Sequence, residues 1–586
     1  KQQTVEEKKC HYNPFEVQLF QSYNPLYRLF QNTNTTVDLA QVGLNQEKQF
    51  YSLDSLWNVD LRVIESRIPI HIKYAPLLDP VHYLIGKYSN WKEAILPQPD
   101  VISPIPKIDD VHNVSYVDSF YNFLSSRLLQ THGFVHGLEF YGSFLAIQDK
   151  FKFDISDDYE YLSKSKIFRT QYKKWYEYED PVQIESLKRF YMDNGDTQEN
   201  RKPLRISSLE KAEDIAIEID GDIEDCGVDG TTTTSSDTTD SMEVMYNTLD
   251  TTKPIDEDDS DSGSSDGDDN SMISDSTVND DEMDKDDEIG SDASDGSDGS
   301  NESDESDSSD ESDSSDDDIH ANAYIYNFPV QMICLEKCDG TLDNLLESEC
   351  LSTKEQSSAL AQVIFTLLLY QNTFQFTHND LHTNNIMYKS TNVSHIEYVY
   401  KNKHYLVPTF GKIYKIIDFG RSIYTYKNKV YCSDSFAKGG DAHSQYNCEP
   451  FYNKDKPRIE PNPSFDLCRL GCSLYDFMFD VDDESYRSLV EGELNPIQSA
   501  VLRWCTDNRG KNILYKASSG DERYPNFKLY KMIARHVHNI TPEEELSRSL
   551  IQQYEWDVKK QKKKKVKCTN KMVLKLDEIP NYAKSL

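Results

Sequence analysis

The sequence predicts an α+β fold, and three observations carry that prediction. Stretches rich in branched and aromatic residues and broken by turn formers, such as IPIHIKYAPLLDPVHYLIGKY (68–88), read as strands. Apolar residues at helical spacing, such as Leu360, Val363, Ile364, Leu367 and Leu368, read as one buried helix face. A long acidic tract separates two strand-rich stretches without a change of character across it, so it interrupts a domain and does not divide two.

Residues 1 to about 35 carry no strong periodicity, and the sheet is expected to begin near residue 68. Val117, Phe120, Tyr121, Leu124 and Leu128 predict a helix, and FVHGLEFYGSFLAI (134–147) turns extended again. Residues 148–205 are mixed. After the tract, FPVQMICLEKCDGTLDNLL (328–346) reads as a buried strand running into a helix. Ser352 and Glu355 have capping-box spacing at the start of the next helix, and SFDLCRLGCSLYDFMF (464–479) is apolar nearly all round, as a buried helix is.

The 586 residues carry a net charge of −39. Between Glu213 and Asp318 there are 41 acidic residues and two lysines, an excess equal to that whole net charge, so the rest of the chain is close to neutral. The tract has too few apolar residues to offset ordering entropy and is expected to be disordered. It reads first as a spacer; its recurring Ser-x-x-Asp/Glu pattern also suits phosphorylation, and its charge suits basic protein partners. Eleven scattered cysteines with no paired framework argue for a reducing intracellular setting without disulfides. Cys334 and Cys338, or Cys468 and Cys472, have no Cys/His quartet around them, so no zinc is expected. The most lipid-like run, ALAQVIFTLLLY (359–370), is well short of the ~20 residues of a membrane span. Nucleic acid is not an expected partner apart from the basic run KKQKKKKVK (559–567). The sequence opens at Lys1 without a methionine, as a piece of a longer protein would.

Phosphoryl transfer needs a carboxylate near the attacking hydroxyl, oxygen ligands for magnesium and a cation on the nucleotide phosphates. In HNDLHTNN (378–385), Asp380 is placed to orient a hydroxyl, and five residues later Asn385 offers a neutral oxygen for Mg²⁺. In IDFG (417–420), Asp418 would be the anionic metal ligand, and Gly420 is expected to free the backbone to turn. An Asp-Asn pair alone is more often turn chemistry than a metal site.

These two motifs, with MICLEKCDGTL before them and DLCRLGCSLY after, resemble the catalytic loop, magnesium loop, hinge and central helix of protein kinases, in family order. The resemblance covers roughly 60–205 and 320–480 and implies a two-lobed protein-kinase-like fold with the long acidic disordered insertion in the N-lobe, between its fourth and fifth strands. It divides the chain into an N-terminal extension (1–40), the first part of the N-lobe (41–212), the insertion (213–318), the final strand and hinge (319–340), the C-lobe (341–555) and a basic tail (556–586). It also implies ATP and Mg²⁺ as cofactors, a protein Ser/Thr substrate, Leu335 as gatekeeper, Glu336 to Cys338 as the adenine-pairing hinge, and Asp466 bracing the catalytic loop, with Gly471 allowing close packing there. HIKYAPLLDPVHYLIGKY with FVHGLEFYGSF is further similar to divergent kinase-like proteins of large DNA viruses, which implies packaging in a virion as one location. In that reading Lys73 contacts the phosphates, with Lys87 as rival, and Asp118 either pairs with Lys73 or caps its own helix three residues after Ser115.

The chain departs from the kinase pattern in several places. No G-x-G-x-x-G precedes Lys73, Gly43 being the only glycine upstream of it; Asn379 replaces the arginine that pairs with a phosphorylated activation loop; no A-P-E follows Asp418. A catalytically silent kinase-like binding protein is therefore the alternative to a kinase. His382, where most protein kinases have lysine, is similar to haspin-like and small-molecule kinases and keeps a small-molecule substrate as a third reading. His132, His136, His378 and His382 read as structural, His378 packing beneath the loop.

Overall fold

Two 15-residue strands, Phe140–Asp154 and Asn322–Glu336, pair antiparallel along their whole length and form the spine of a five-stranded sheet. Their cores, FYGSFLAI and FPVQMICL, are buried on both faces, which is why they read as near-continuous apolar runs. Val17–Gln21 pairs with the first strand, Ile70–Pro76 with the second, and Tyr176–Tyr178 extends the far end. In this register Lys73 lies opposite Ile333, and Leu335 lies between His71 and Phe140. The computed structural model describes residues 15–26, 47–88, 96–98, 101–156, 158–185, 321–479, 494–516, 521–557 and 570–584. The chain divides into one unit of Lys1–Glu224 with Ile319–Leu586 and a second of Asp225–Asp318; every described residue falls in the first. The acidic tract and the basic run 559–567 lie outside the described residues.

The protein is α+β, with strands on both sides of the tract and most of its helix after it. The sheet does not begin at residue 68 as expected. Val17–Gln21 already belongs to it, and a separate three-stranded meander, Lys48–Ser52, Ser55–Asn58 and Val63–Ser66, precedes Ile70–Pro76. Within 68–88 only Ile70–Pro76 is strand; Pro80–Leu84 is a short helix capped by Asp79. Leu56 and Phe50 of the meander pack on Ile70, Ile72, Tyr141, Phe144 and Cys334. Ile70 and Ile72 alternate with Lys73 along their strand, so the meander covers the sheet face that Lys73 does not occupy.

The helix Val114–His132 starts at Asn113, whose Oδ1 accepts from Ser115 N, and ends at Gly133 in the left-handed region (φ 65°), where Gly133 N donates to Leu129 O. The helix Thr353–Phe374 has the expected Ser352/Glu355 capping box and is buried on almost every side. It packs on the strand Lys412–Ile416 and on the helix Pro496–Trp504, which in turn pairs with the helix Phe465–Met478. Gly471 permits the closest contact of that pair: a Cβ there would sit 2.8 Å from Trp504 Cβ, as the close-packing role expected of it requires.

Two hairpins, His395–Tyr400 with Lys403–Pro408 and Ile423–Tyr426 with Lys429–Cys432, turn on the same sequence, Tyr-Lys-Asn-Lys. Both central pairs, Lys401-Asn402 and Lys427-Asn428, have positive φ, as a two-residue type I′ turn demands. The strand Lys571–Lys575 then pairs parallel with His395–Tyr400, and the tail beyond it bonds to the second hairpin through Lys427 N to Tyr582 O and Asn428 N to Ala583 O. Among the described residues no helix is long and apolar enough to cross a membrane.

His136 lies fully buried where these layers meet. Its Nδ1–H donates to Tyr414 O (2.7 Å), so its Nε2 accepts from the Tyr398 hydroxyl (2.7 Å), and the neutral ring is satisfied on both sides. Burial pushes its pKa down to about 4. The unfolded chain therefore takes up this proton first: the stability is fully present above about pH 6.5 and is lost as the pH falls toward 4, by about 3 kcal/mol. Denaturant midpoints should fall across that window in the wild type and more shallowly in His136→Gln.

Candidate active site

One ammonium joins three elements at the open side of the large sheet. Lys73 Nζ lies 2.9 Å from Asp118 Oδ2 on the helix Val114–His132 and 2.9 Å from Asp418 Oδ1, just past the strand Lys412–Ile416. Lys87 is not part of this group; its Nζ meets His82 Nε2 at 2.8 Å on the surface. Asp118 does not cap its helix, a role taken by Asn113. Its second oxygen accepts from Phe419 N (2.9 Å) and Asn122 Nδ2 (2.9 Å). Burial alone would lower the Lys73 pKa, but the two carboxylates overcome it and raise it. Burial also acts to raise both carboxylates against the Lys73 charge; Asp118, the more enclosed, ends above its ordinary value and Asp418 below.

The turn after Lys412–Ile416 is made by Asp418 itself, at φ 61°, and not by Gly420. Gly420 eases a close approach: a Cβ there would lie a tight 3.1 Å from Val114 Cγ2 at the start of the Asp118 helix. Phe419 is buried against the rings of Tyr121, Phe376 and His378.

The segment 377–385 is held from below by Asp466, fully buried at the start of Phe465–Met478. Its carboxylate accepts from His378 N (2.9 Å to Oδ2) and Asn379 N (2.9 Å to Oδ1). His378 Nε2–H donates to Ile417 O (2.8 Å) and Nδ1 accepts from Asp380 N (3.3 Å), so the ring links this segment to the Asp418 turn, beneath the loop as expected. Asn379, also left-handed (φ 67°), donates to Arg421 O (2.9 Å) and accepts from the Tyr446 hydroxyl (2.8 Å).

Asn385 ends a short 3-10 turn, Thr383–Asn385. Its Nδ2 donates to Asp380 O (3.0 Å) and lies 3.0 Å from His382 Nε2, which fixes the amide and leaves Oδ1 as its acceptor. Asp418 contributes a carboxylate oxygen beyond the one on Lys73. An amide oxygen with a carboxylate is a hard, oxygen-only donor set, which fits Mg²⁺ completing its shell with water and phosphate. His382 is buried, its Nδ1 without a partner, and burial with the Arg469 charge pushes its pKa down to about 4, so it is neutral at pH 7.

Leu335 packs with Ala75, Leu138, Phe140 and Ile333 on the sheet face that carries Lys73. Glu336 is less available than expected: its N–H donates to Glu139 O (3.0 Å), and its carboxylate pairs with buried Lys415 (2.5 Å). Cys338 is half-buried beside this group, its thiol pushed up to about 12 by burial.

Three residues that sequence reasoning passed over surround Asp380. Tyr530 hydroxyl donates to Oδ1 (2.8 Å), Arg469 Nε lies 3.8 Å from Oδ1, and Arg421 reaches Oδ2 at 3.4 Å while its other nitrogen pairs with Asp441 (2.6 Å). Burial opposes ionisation, but Arg421 and Arg469 hold the Asp380 pKa down to about 2. Arg421 directly follows the IDFG motif and Arg469 lies inside DLCRLG, so both were visible in the sequence as basic residues in or next to a motif. Tyr530 belongs to the helix Lys528–His536, whose inward positions Leu529, Tyr530, Ile533 and Ala534 do recur at helical spacing.

Removing the Lys73 ammonium leaves Asp118, 2% exposed, without its cation. Lys73→Met should lower unfolding free energy by about 2–3 kcal/mol, at the low end for a buried pair because Lys73 keeps 25% of its side chain exposed. Adding Asp118→Asn should restore part of the loss, as a denaturant double-mutant cycle would read out.

The chain matches no protein-family model and no curated protein.

Proposed function

We propose that the chain is a two-lobed, protein-kinase-like phosphotransferase that moves the γ-phosphate of ATP to a protein Ser or Thr hydroxyl with Mg²⁺. The observation that carries this reading is the convergence of Lys73, Asp118 and Asp418 at 2.9 Å beside an Asn385 amide fixed on the Asp380 carbonyl. These residues come from four separate elements, and each has the charge that phosphoryl transfer asks of it. In this reading the large sheet with Val114–His132 is the small lobe, and the helices after residue 350 are the large one. Leu335 and the backbone from Glu336 to Cys338 line the adenine end.

Lys73 would hold nucleotide phosphates, and Asn385 Oδ1 with Asp418 would hold the metal. Held by these two residues, Mg²⁺ would supply positive charge that offsets the charge of the phosphates. Asp380, ionised across the physiological range, would accept a hydrogen bond from the incoming hydroxyl and orient it toward phosphorus. With so low a pKa it is a weak base, so its main contribution is alignment; the hydroxyl proton would pass to the Asp380 carboxylate late, as the new O–P bond forms and the P–O bond to the departing ADP breaks.

One observation favours a second reading, a catalytically silent binding protein of the same architecture, with the acidic tract meeting basic partners. The meander Lys48–Ser66 contains no glycine and packs on the sheet face away from Lys73, so a backbone cover for the phosphates is not supplied there. Incubation of the full chain with γ-labelled ATP, Mg²⁺ and a mixed protein panel separates the two. Transfer should be observed and should fall by at least ~100-fold in Asp380→Ala and Asp418→Ala. No transfer, together with no rise in melting temperature on adding Mg²⁺ and ATP, would leave the binding protein.

A further inference from the structure

Tyr530 lies 150 residues beyond Asp380, outside every motif that points to phosphoryl transfer, yet its hydroxyl makes the shortest contact to the Asp380 carboxylate. The hydroxyl has one proton, and its two partners fix where that proton goes. Arg469 Nε–H donates to Tyr530 Oη (2.9 Å), so Oη spends its own hydrogen on Asp380 Oδ1 (2.8 Å). The result is a directed relay, from guanidinium to phenol to carboxylate, in which the charged donor polarises the phenol and strengthens its bond to Oδ1.

The tyrosine cannot turn away. Phe527 stacks on its ring at 5.3 Å, Phe465 stands at 6.1 Å, and both it and Arg469 are buried. The other carboxylate oxygen is held more loosely: Arg421 lies 3.4 Å from Oδ2 and is committed to Asp441 at 2.6 Å. One oxygen is therefore pinned by a rigid neutral donor, and the other faces a longer contact that an incoming hydroxyl can replace.

Resting on the kinase-like reading above, we propose that Tyr530, backed by Arg469, is a positioning residue for the transfer step: it fixes the rotation of the Asp380 carboxylate so that Oδ2 is presented to the substrate hydroxyl. Without the phenol oxygen, Oδ1 loses its short partner. The carboxylate then rotates to share both oxygens with Arg421, and the hydroxyl loses its alignment with phosphorus. Nucleotide contacts, which run through Lys73, Asn385 and Asp418, are untouched by that rotation.

The test is Tyr530→Phe in the full chain, which removes one oxygen and keeps the ring that packs on Phe527. Steady-state transfer to a protein substrate should show kcat reduced roughly 10- to 100-fold with the KM for ATP at its wild-type value, and the melting temperature should fall slightly because buried Arg469 Nε–H loses its acceptor. Wild-type kcat in the variant would overturn the inference. So would a fall in melting temperature with a parallel rise in the KM for ATP, since that pattern marks a packing role. A wild-type chain that transfers no phosphate overturns the kinase reading itself, and this inference with it, whereas an active wild type beside an equally active variant overturns the inference alone.

Discussion

The site depends on a single cation placed between two carboxylates. Lys73 lies in mid-strand, where its backbone is committed to the sheet, so the carboxylates must come to it. Asp118 does so from a helix and Asp418 from a left-handed turn. An aspartate at 118 is one methylene shorter than a glutamate, and the helix has to approach more closely to reach the same nitrogen. Two contacts make that approach possible. Phe419 N–H donates directly to Asp118, and Gly420 lies close against Val114, where a Cβ would be a tight fit. The short acid and the glycine are thus two halves of one packing solution.

Around this group, backbone geometry that is unfavourable in isolation is held by side-chain hydrogen bonds. Asn379 and Asp418 both lie in the left-handed region, at a cost of order 1 kcal/mol each. Each is over-determined by its neighbours: Asn379 by Asp466, Tyr446 and the Arg421 carbonyl, Asp418 by Lys73. Because His378 donates to Ile417 O while accepting from Asp380 N, the loop that carries Asp380 and the turn that carries Asp418 are connected through a single ring. A shift in either is felt in the other.

Much of this was legible in the sequence because the relevant residues are close together along it. Asp380, Asn385 and Asp418 fall in short motifs whose local turns aim them, and the Ser352/Glu355 cap could be read from spacing alone. The identity of the partner for Lys73 could not be read, since Asp118 suited a helix cap equally well, and only tertiary packing separates the two roles. The meander at 48–66 was missed because its strands are four or five residues long and their apolar residues come in adjacent pairs (Phe50-Tyr51, Leu56-Trp57, Val63-Ile64), so no period-2 alternation marks them. The paired Tyr-Lys-Asn-Lys turns were in plain view, and their Asn at the second turn position was the available signal. Tyr530 was beyond reach in a different way: the contact with Asp380 spans 150 residues, and no periodicity encodes that.

The parallel strand Lys571–Lys575 has a consequence for how the molecule is made. It lies against His395–Tyr400 and extends to Asp577, which accepts from Lys401 N across 176 residues of chain. Tyr582 and Ala583 then bond to the turn at Lys427-Asn428, and Ala583 N donates to Thr373 O at the end of the central helix. On a ribosome adding about 5–20 residues each second, the hairpin at 395–408 emerges several seconds or more before the strand that completes its sheet. During that interval one edge of the hairpin presents unpaired backbone, the condition under which nascent chains associate wrongly or recruit chaperones. The sheet opened by the hairpin at 395–408 is thus closed only by residues made much later.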